Sequence, residues 1–323
     1  AMTAWQKVQK IAPAAIGACL FVLSIGAINS ELHHYGWQNV LASFQGIVKT
    51  RLAGAFALML INYIILTGYD TLAMFYLGQS LPLTKTSFVG FVSYAISNSV
   101  GLALLSGSAI RYRLYQSWQI PVPIIAQAIA FCNLSFWVGL LTVGGITFVV
   151  DPLQLPAFLH LPFLSVHPIG FTFLAIIGIY LLITGNLIKP FKIGQWQTPK
   201  IPFAVSLAQI GLTAVDWILA SGILYVLLPG HHHLSFPGFF GIYLLAQVAG
   251  IISNVPGGLG VFETVVLFLL TPKYSSVQVL GALLAYRVIY YWIPLGSASL
   301  SLGVFELLQH RRERRQKSGS ESE

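Results

Sequence analysis

Four ionisable side chains, Asp70, Asp216, Glu263 and Arg287, fall inside long apolar stretches of the sequence. Each costs about 2.5 to 3.5 kcal/mol at a spanning-helix centre on insertion scales, so their presence calls for a reason. A carboxylate at that depth can hold an ammonium group, and a guanidinium offers a planar fork suited to a phosphate. Glu263 closes the run SNVPGGLGVFE, residues 253–263. There Pro256 removes an amide donor, and Gly257, Gly258 and Gly260 loosen the backbone, so no plain spanning helix forms. Irregular backbone survives at membrane depth only where protein surrounds it or where it lines a wet cavity. The run therefore reads as the wall of a polar site within the bilayer. Glu263 either binds an ammonium there or caps the amides of the helix that follows. Asp70 and Asp216 either line the same cavity or pair with an arginine across the molecule.

Arg111, in SGSAIRYR, adds a second guanidinium for phosphate; the alternative for it and for Arg113 is a cytoplasmic charge that sets orientation, which for Arg113 reads equally with substrate contact. Asn98 and Asn254 line the cavity or cap broken helices, and capping is favoured because asparagine is a strong helix N-cap. Tyr286, Tyr290 and Tyr291, beside Arg287, read as interfacial aromatics in preference to groups that recognise the substrate directly.

The elements that position these groups are membrane helices. Apolar residues make up 56% of the 323-residue chain and charged residues 8%, against about 25% charged in soluble domains. The apolar segments are 11–28, 52–77, 86–105, 122–150, 168–188, 201–228, 239–253, 259–270 and 277–308, most of them hydrophobic all round as expected of helices facing lipid or one another. The fold class is therefore all-α, a polytopic membrane protein in a single membrane domain over 1–323. Its halves run about 11–150 and 168–308, with a basic tail at 309–323. Cys19 and Cys132 lack the spacing of a zinc site or disulfide framework.

Lysine and arginine gather before the first segment, around the third, after the fifth and in the tail, while 151–167 and 229–238 carry neither. The positive-inside rule puts those two stretches outside and both termini in the cytoplasm. The charges close only if 86–118 leaves the cytoplasm and returns to it, and 239–272 leaves the outer face and returns there. Lys49 and Arg51 then fall outside, against the rule, unless 37–49 folds back, and Lys273 also falls outside. Each half carries an aspartate span, Asp70 or Asp216, then an aromatic, glycine-rich segment ending on Asn98 or Asn254, then a glycine-rich turn with charge, SGSAIRYR or PGGLGVFE. Two inverted repeats, each with a re-entrant hairpin, are the expected architecture, and such repeats point to a transporter with its site near the midplane.

The runs GYDTLAMFYLG, SNSVGLALLSGSAIRYRLYQSW, AVDWILASGILYVLLP, SNVPGGLGVFE and YRVIYYWIPL, in that order, resemble the N-terminal membrane part of the bacterial multiple peptide resistance factor, the lysyl-phosphatidylglycerol synthase and flippase family. The resemblance covers about 52–308. It implies a bacterial cytoplasmic-membrane location, a part in resistance to cationic antimicrobial peptides, and movement of aminoacylated phosphatidylglycerol between leaflets. It also implies that the aminoacyl-tRNA-dependent synthase domain of that family has no counterpart in this sequence, so the expected role is not enzymatic.

The expected activity is a lipid flippase or scramblase for a phospholipid with a cationic head group. Glu263, with Asp216 or Asp70, would hold the amines, and Arg287 with Arg111 the phosphate, with Asn98 and Asn254 in the substrate-binding set and Pro256, Gly257, Gly258 and Gly260 forming the re-entrant turn. On this reading Glu263→Gln leaves folding nearly intact. The alternatives are a membrane scaffold for a separate lipid-modifying enzyme and, more weakly, a lipid transferase. Expected partners are a phospholipid, membrane lipids, a lipid synthase domain or protein, and a second copy of the chain. Nucleic acid is not among them, for want of a basic face with exposed aromatics. No cofactor is expected: there is no phosphate loop ending in lysine, and His231, His232 and His233 lack the i, i+4 spacing of helical metal ligands. The serines of SNSVG and SGSAI have no histidine nearby in sequence to act as base.

Overall fold

A computed structural model describes residues 36–100, 103–151, 165–185, 192–193, 196–197, 201–230, 234–252, 258, 260–270 and 273–320. The apolar segment 11–28, Cys19, Asn254, Pro256, Gly257 and the three adjacent histidines lie outside the described residues.

The described elements are helical apart from a two-residue antiparallel pairing, β1 (Lys192–Ile193) with β2 (Trp196–Gln197). The helices are α1 (Trp37–Gln45), α2 (Lys49–Tyr76), α3 (Leu83–Val100), α4 (Ala103–Ser117), α5 (Val122–Val150), α6 (His167–Thr184), α7 (Phe203–Leu227), α8 (Phe236–Ile252), α9 (Val261–Leu270), α10 (Ser276–Tyr286) and α11 (Ile293–Ser320). A π-helical segment, Arg287–Trp292, joins the last two. Among the described residues five helices are long and apolar enough to cross a membrane: α2, α5, α6, α7 and the stretch Ser276–Arg311. At 1.5 Å per residue, α9 reaches only about 15 Å, half of a hydrocarbon core of roughly 30 Å.

α2 and α7, the two helices that carry Asp70 and Asp216, pack against each other at the centre of the bundle. Around them the outward faces stay apolar: Ile64, Val150, Phe171 and Leu300 are all more than half exposed. Aliphatic surface of that extent is tolerable where lipid, not water, covers it.

Side-chain contacts tie the helix termini together at two ends of the bundle. At one, the Arg51 guanidinium donates to the Leu228 carbonyl (3.0 Å), the Tyr225 hydroxyl to the Leu234 carbonyl (2.9 Å) and the Tyr274 hydroxyl to the Gly230 carbonyl (3.4 Å). A Cβ on Gly238 would stand 3.6 Å from an Asp151 carboxylate oxygen. At the other end Lys85 lies 4.9 Å over the Trp118 ring, Phe305 packs on both Phe88 and Trp118, and Arg113 pairs with Glu306.

SGSAIRYR, expected to be a turn, is helical and lies within α4. Its glycine serves close packing instead: a Cβ on Gly107 would meet the Arg111 guanidinium at 3.2 Å and Ser97 of α3 at 3.3 Å. Gly90 of α3 meets α2 still more closely. A Cβ there would stand 2.9 Å from the Thr67 Cα and 3.3 Å from Asp70 Oδ2. Because the first neighbour is backbone, the helices themselves must move apart to admit it. Gly90→Ala is therefore expected to lower stability by about 1–3 kcal/mol, measured as a lower unfolding temperature in detergent.

Candidate functional site

Three buried carboxylates organise the interior, each held differently. Asp70 receives the Arg111 guanidinium in a fork, from Nε to Oδ1 (3.0 Å) and from Nη2 to Oδ2 (2.9 Å). Tyr115 donates its hydroxyl to the same carboxylate (2.9 Å). Arg111 and Tyr115 are one helical turn apart on α4, so one face presents both donors. The guanidinium also stacks on the Tyr94 ring, 4.8 Å from its centroid. The pair is almost wholly sealed, with side-chain exposures of 3% and 0%.

Glu263 sits in the first turn of α9 and uses both oxygens. Oε1 accepts from Arg287 Nε (2.6 Å). Oε2 accepts from the Gly260 backbone amide (2.8 Å), so the side chain reaches back to the helix start as in a capping box. The chain enters α9 through Gly258 and Gly260, at φ 63° and 79°, a left-handed backbone that glycine adopts without a steric penalty. The Arg287 guanidinium lies over the Tyr291 ring at 4.7 Å and nearer the edge of contact with Phe262 at 5.9 Å.

Asp216, in the middle of α7, faces α2. Oδ1 accepts from Asn62 Nδ2 (2.8 Å) and Oδ2 from the Tyr69 hydroxyl (2.8 Å). Asn62 Nδ2 also reaches the Asp216 carbonyl (3.0 Å). Asn62 and Tyr69 are seven residues apart, two turns of α2, and so share a face.

Aromatic rings connect the three acids. Tyr94, under Arg111, packs on Tyr69 (5.2 Å between centroids), and Tyr69 donates to Asp216. Tyr63, next to Asn62, donates to the Tyr290 carbonyl (3.2 Å) and packs against that ring. Tyr290 meets Tyr291 edge to face (5.1 Å), and Tyr291 lies under Arg287. A buried polar and aromatic track thus runs from Asp70 and Arg111, past Asp216, to Glu263 and Arg287. The Tyr243 and Tyr286 hydroxyls, 2.8 Å apart, and Gln247 extend it into α8.

The model of the lysylphosphatidylglycerol synthase TM region matches residues 11–298. The chain belongs to that family. It is similar to a Synechocystis sp. protein, 98% identical over 322 residues and the whole of both chains. It is also similar to the inner membrane protein YbhN of Escherichia coli, 30% identical over 261 residues, 80% of this chain and 81% of that one. The phosphatidylglycerol lysyltransferase of Bacillus subtilis is 27% identical over 287 residues, which are 86% of this chain and 32% of the longer relative. The resemblance read from the five sequence runs is therefore correct at the level of the family, and this family member is a multi-pass membrane protein.

Several sequence expectations for this lysylphosphatidylglycerol synthase TM-region chain need correction. Asn98 is not an N-cap, because α3 continues past it to Val100. Tyr286, Tyr290 and Tyr291 are not interfacial, being at most 9% exposed. Tyr286 closes α10, and the six-residue π segment that follows carries Tyr290 and Tyr291 inward with Arg287. Arg113 of α4 holds Glu306 of α11 through Nε (2.9 Å) and Nη2 (2.6 Å). Asp70 takes its arginine from the same half of the chain, not from the other. Sequence reading missed Asn62, Tyr69, Tyr94, Tyr115 and Glu306. The i, i+4 spacing of Arg111 and Tyr115 and the i, i+7 spacing of Asn62 and Tyr69 were the available signals.

Proposed function

We propose that this family member moves a phospholipid with a cationic head group, aminoacylated phosphatidylglycerol or a related lipid, between the leaflets of a bacterial cytoplasmic membrane. The observation that carries the reading is the buried track with one ion pair towards each end, Arg111–Asp70 and Arg287–Glu263. A head group bearing phosphate and ammonium can replace each partner of such a pair by a like charge. Arginine passes from carboxylate to phosphate while the carboxylate passes to ammonium, so no buried charge is stranded. That condition matters because an uncompensated buried ion costs several kcal/mol. Glu263, with Asp216 or Asp70, serves the amines, and Arg287 and Arg111 the phosphate. Asn98, and Asn254 beyond the described residues, belong to the same lining.

The reading includes two inverted halves. α3 starts and α4 finishes among the Lys85, Trp118 and Glu306 contacts, whereas α8 starts and α9 finishes among the Gly230, Leu234 and Asp151 contacts. Two hairpins opening to opposite sides are supported by this and by the shortness of α9. Arg51 and Lys273 fall at the latter end, where Arg51 is taken up by the Leu228 carbonyl. Cysteine at Ser235 is expected to react with an impermeant thiol reagent from outside intact cells, and cysteine at Ser318 only after permeabilisation. Equal labelling of both would remove the inverted topology.

The test of function is the purified protein in liposomes, with leaflet exposure of labelled lipid measured for lysyl-phosphatidylglycerol, phosphatidylglycerol and phosphatidylethanolamine. Faster exposure of the cationic lipid is the expected result. Exposure at the rate of protein-free vesicles for all three would favour a membrane scaffold for a separate lipid-modifying enzyme.

A further inference from the structure

Asp216 differs from the other paired acids. Asp70, Glu263 and Glu306 each hold an arginine, but among the described residues no lysine, arginine or histidine ion-pairs with Asp216. Its partners are an amide and a phenol, Asn62 and Tyr69. It stands 13 residues into α7, about 20 Å from the helix start, at the depth where a bare charge is most costly. Phenols of four elements act on it: Tyr63 and Tyr69 of α2, Tyr94 of α3, Tyr243 of α8 and Tyr290 of the π segment. Arg111 is engaged by Asp70, and Cys132 of α5 faces that pair and not Asp216. Glu263 and Arg287 face each other.

A second observation points to a ligand here. Asn62 is fully buried, and its amide oxygen has no hydrogen-bond partner among the described residues; the same holds for the Tyr94 hydroxyl. Native interiors rarely leave such acceptors unmet. With Asp216 ionised, the Asn62 amide must turn its nitrogen to the carboxylate and its oxygen away. A proton on Asp216 Oδ1 reverses that demand: the amide rotates by half a turn, its oxygen accepts from the new carboxylic O–H, and its nitrogen gives up the Asp216 carbonyl for the outer position. Tyr69 continues to donate to Oδ2 in both forms. Asn62 is thus a two-way partner for a carboxyl group that exists in two protonation states, on the helix pair that links the two halves.

We propose that Asp216 is a reversible proton-binding site at the centre of the α2–α7 contact, and that its loading couples lipid movement to a proton gradient. The coupling rests on the transport reading above; the proton site does not. Changing the Asp216 charge changes the hydrogen bonds across α2 and α7, which carry Asp70 and, through Tyr63 and Tyr290, the segment bearing Arg287. A proton from one side loads the acid with a net neutralisation, and release to the other side returns the charge.

Two measurements on the full chain decide it separately. In proteoliposomes, infrared difference spectra across a pH titration are expected to show one buried carboxylic C=O band that disappears in Asp216→Asn and shifts in Asn62→Ala. Absence of a titrating band assignable to Asp216, or a band that responds to sodium at fixed pH and not to pH, overturns the proton site. Leaflet exposure of lysyl-phosphatidylglycerol is then followed with and without an imposed pH gradient. With one proton per lipid, each pH unit is expected to move the steady-state leaflet ratio by as much as about tenfold, and in Asp216→Asn, whatever its remaining rate of exposure, the ratio is expected not to respond to the gradient. A wild-type ratio that ignores the gradient overturns the coupling. No exposure of any lipid by the wild type overturns the transport reading and the coupling with it, while the infrared band still reports on the site.

Discussion

Glu263→Gln is expected to lower stability by about 3–5 kcal/mol and to impair exposure of aminoacylated lipid in liposomes. The stability loss follows from the partner it leaves behind: Arg287 is buried at 2% exposure and meets Glu263 Oε1 at 2.6 Å, and removing one member of a buried pair strands the other charge. Glutamine can still accept from the Gly260 amide, so the cap persists and the loss is electrostatic. This replaces the sequence-based expectation that the variant folds almost normally, which took Glu263 to face a wet cavity and not a guanidinium. Transport and folding are separated by the double variant Glu263→Gln/Arg287→Gln. Removing both charges together is often near neutral for stability, so most of the loss is expected to return on thermal unfolding in detergent, while transport stays impaired. A double variant that is stable and moves cationic lipid at the normal rate would show that the pair is only a structural tie. Arg287→Gln alone is expected to weaken transport of every phospholipid whatever its head group, because phosphate is common to all of them. A defect confined to cationic lipids would place Arg287 elsewhere in the mechanism.

Asp70→Asn is expected to have an effect of similar size, again about 3–5 kcal/mol, because Arg111 then keeps its charge at 3% exposure with no carboxylate within reach. Tyr115 and the Tyr94 ring remain, but neither supplies a counter-charge. The Arg113–Glu306 pair provides the contrast. Its side chains are more exposed, at 10% and 21%, so the desolvation that makes a stranded charge costly is smaller and Glu306→Gln is expected to cost less than Asp70→Asn. Unfolding temperatures of the two single variants, measured in one detergent, give the ranking. A larger loss for Glu306→Gln would contradict the burial argument and put the structural weight of the bundle on α4 and α11.

Much of the architecture was legible because it is local. The segment read as 122–150 is the helix Val122–Val150, and 259–270 is the helix Val261–Leu270, since hydropathy and the stop at proline or glycine depend on neighbouring residues alone. The break before Glu263 was readable for the same reason, as glycine at 258 and 260 adopts a backbone few other residues share. The turn expected at SGSAIRYR is helical instead, because a glycine that admits a neighbouring helix looks in sequence like a glycine that admits a turn. All four ionisable groups singled out at membrane depth are indeed buried, as their insertion cost suggested.

Their partners were not legible. Asp70 and Arg111 lie 41 residues apart, Glu263 and Arg287 24, and Asn62 and Asp216 154. Which of them meet depends on the rotation and depth of each helix. The sequence by itself determined that this chain lives in a bilayer, where several of its helices lie, and which residues are too costly to be idle there. Only the tertiary structure decided that two of the three acids in the track already hold an arginine while the third, Asp216, does not, because ion pairing is settled by distances between side chains that no local pattern encodes.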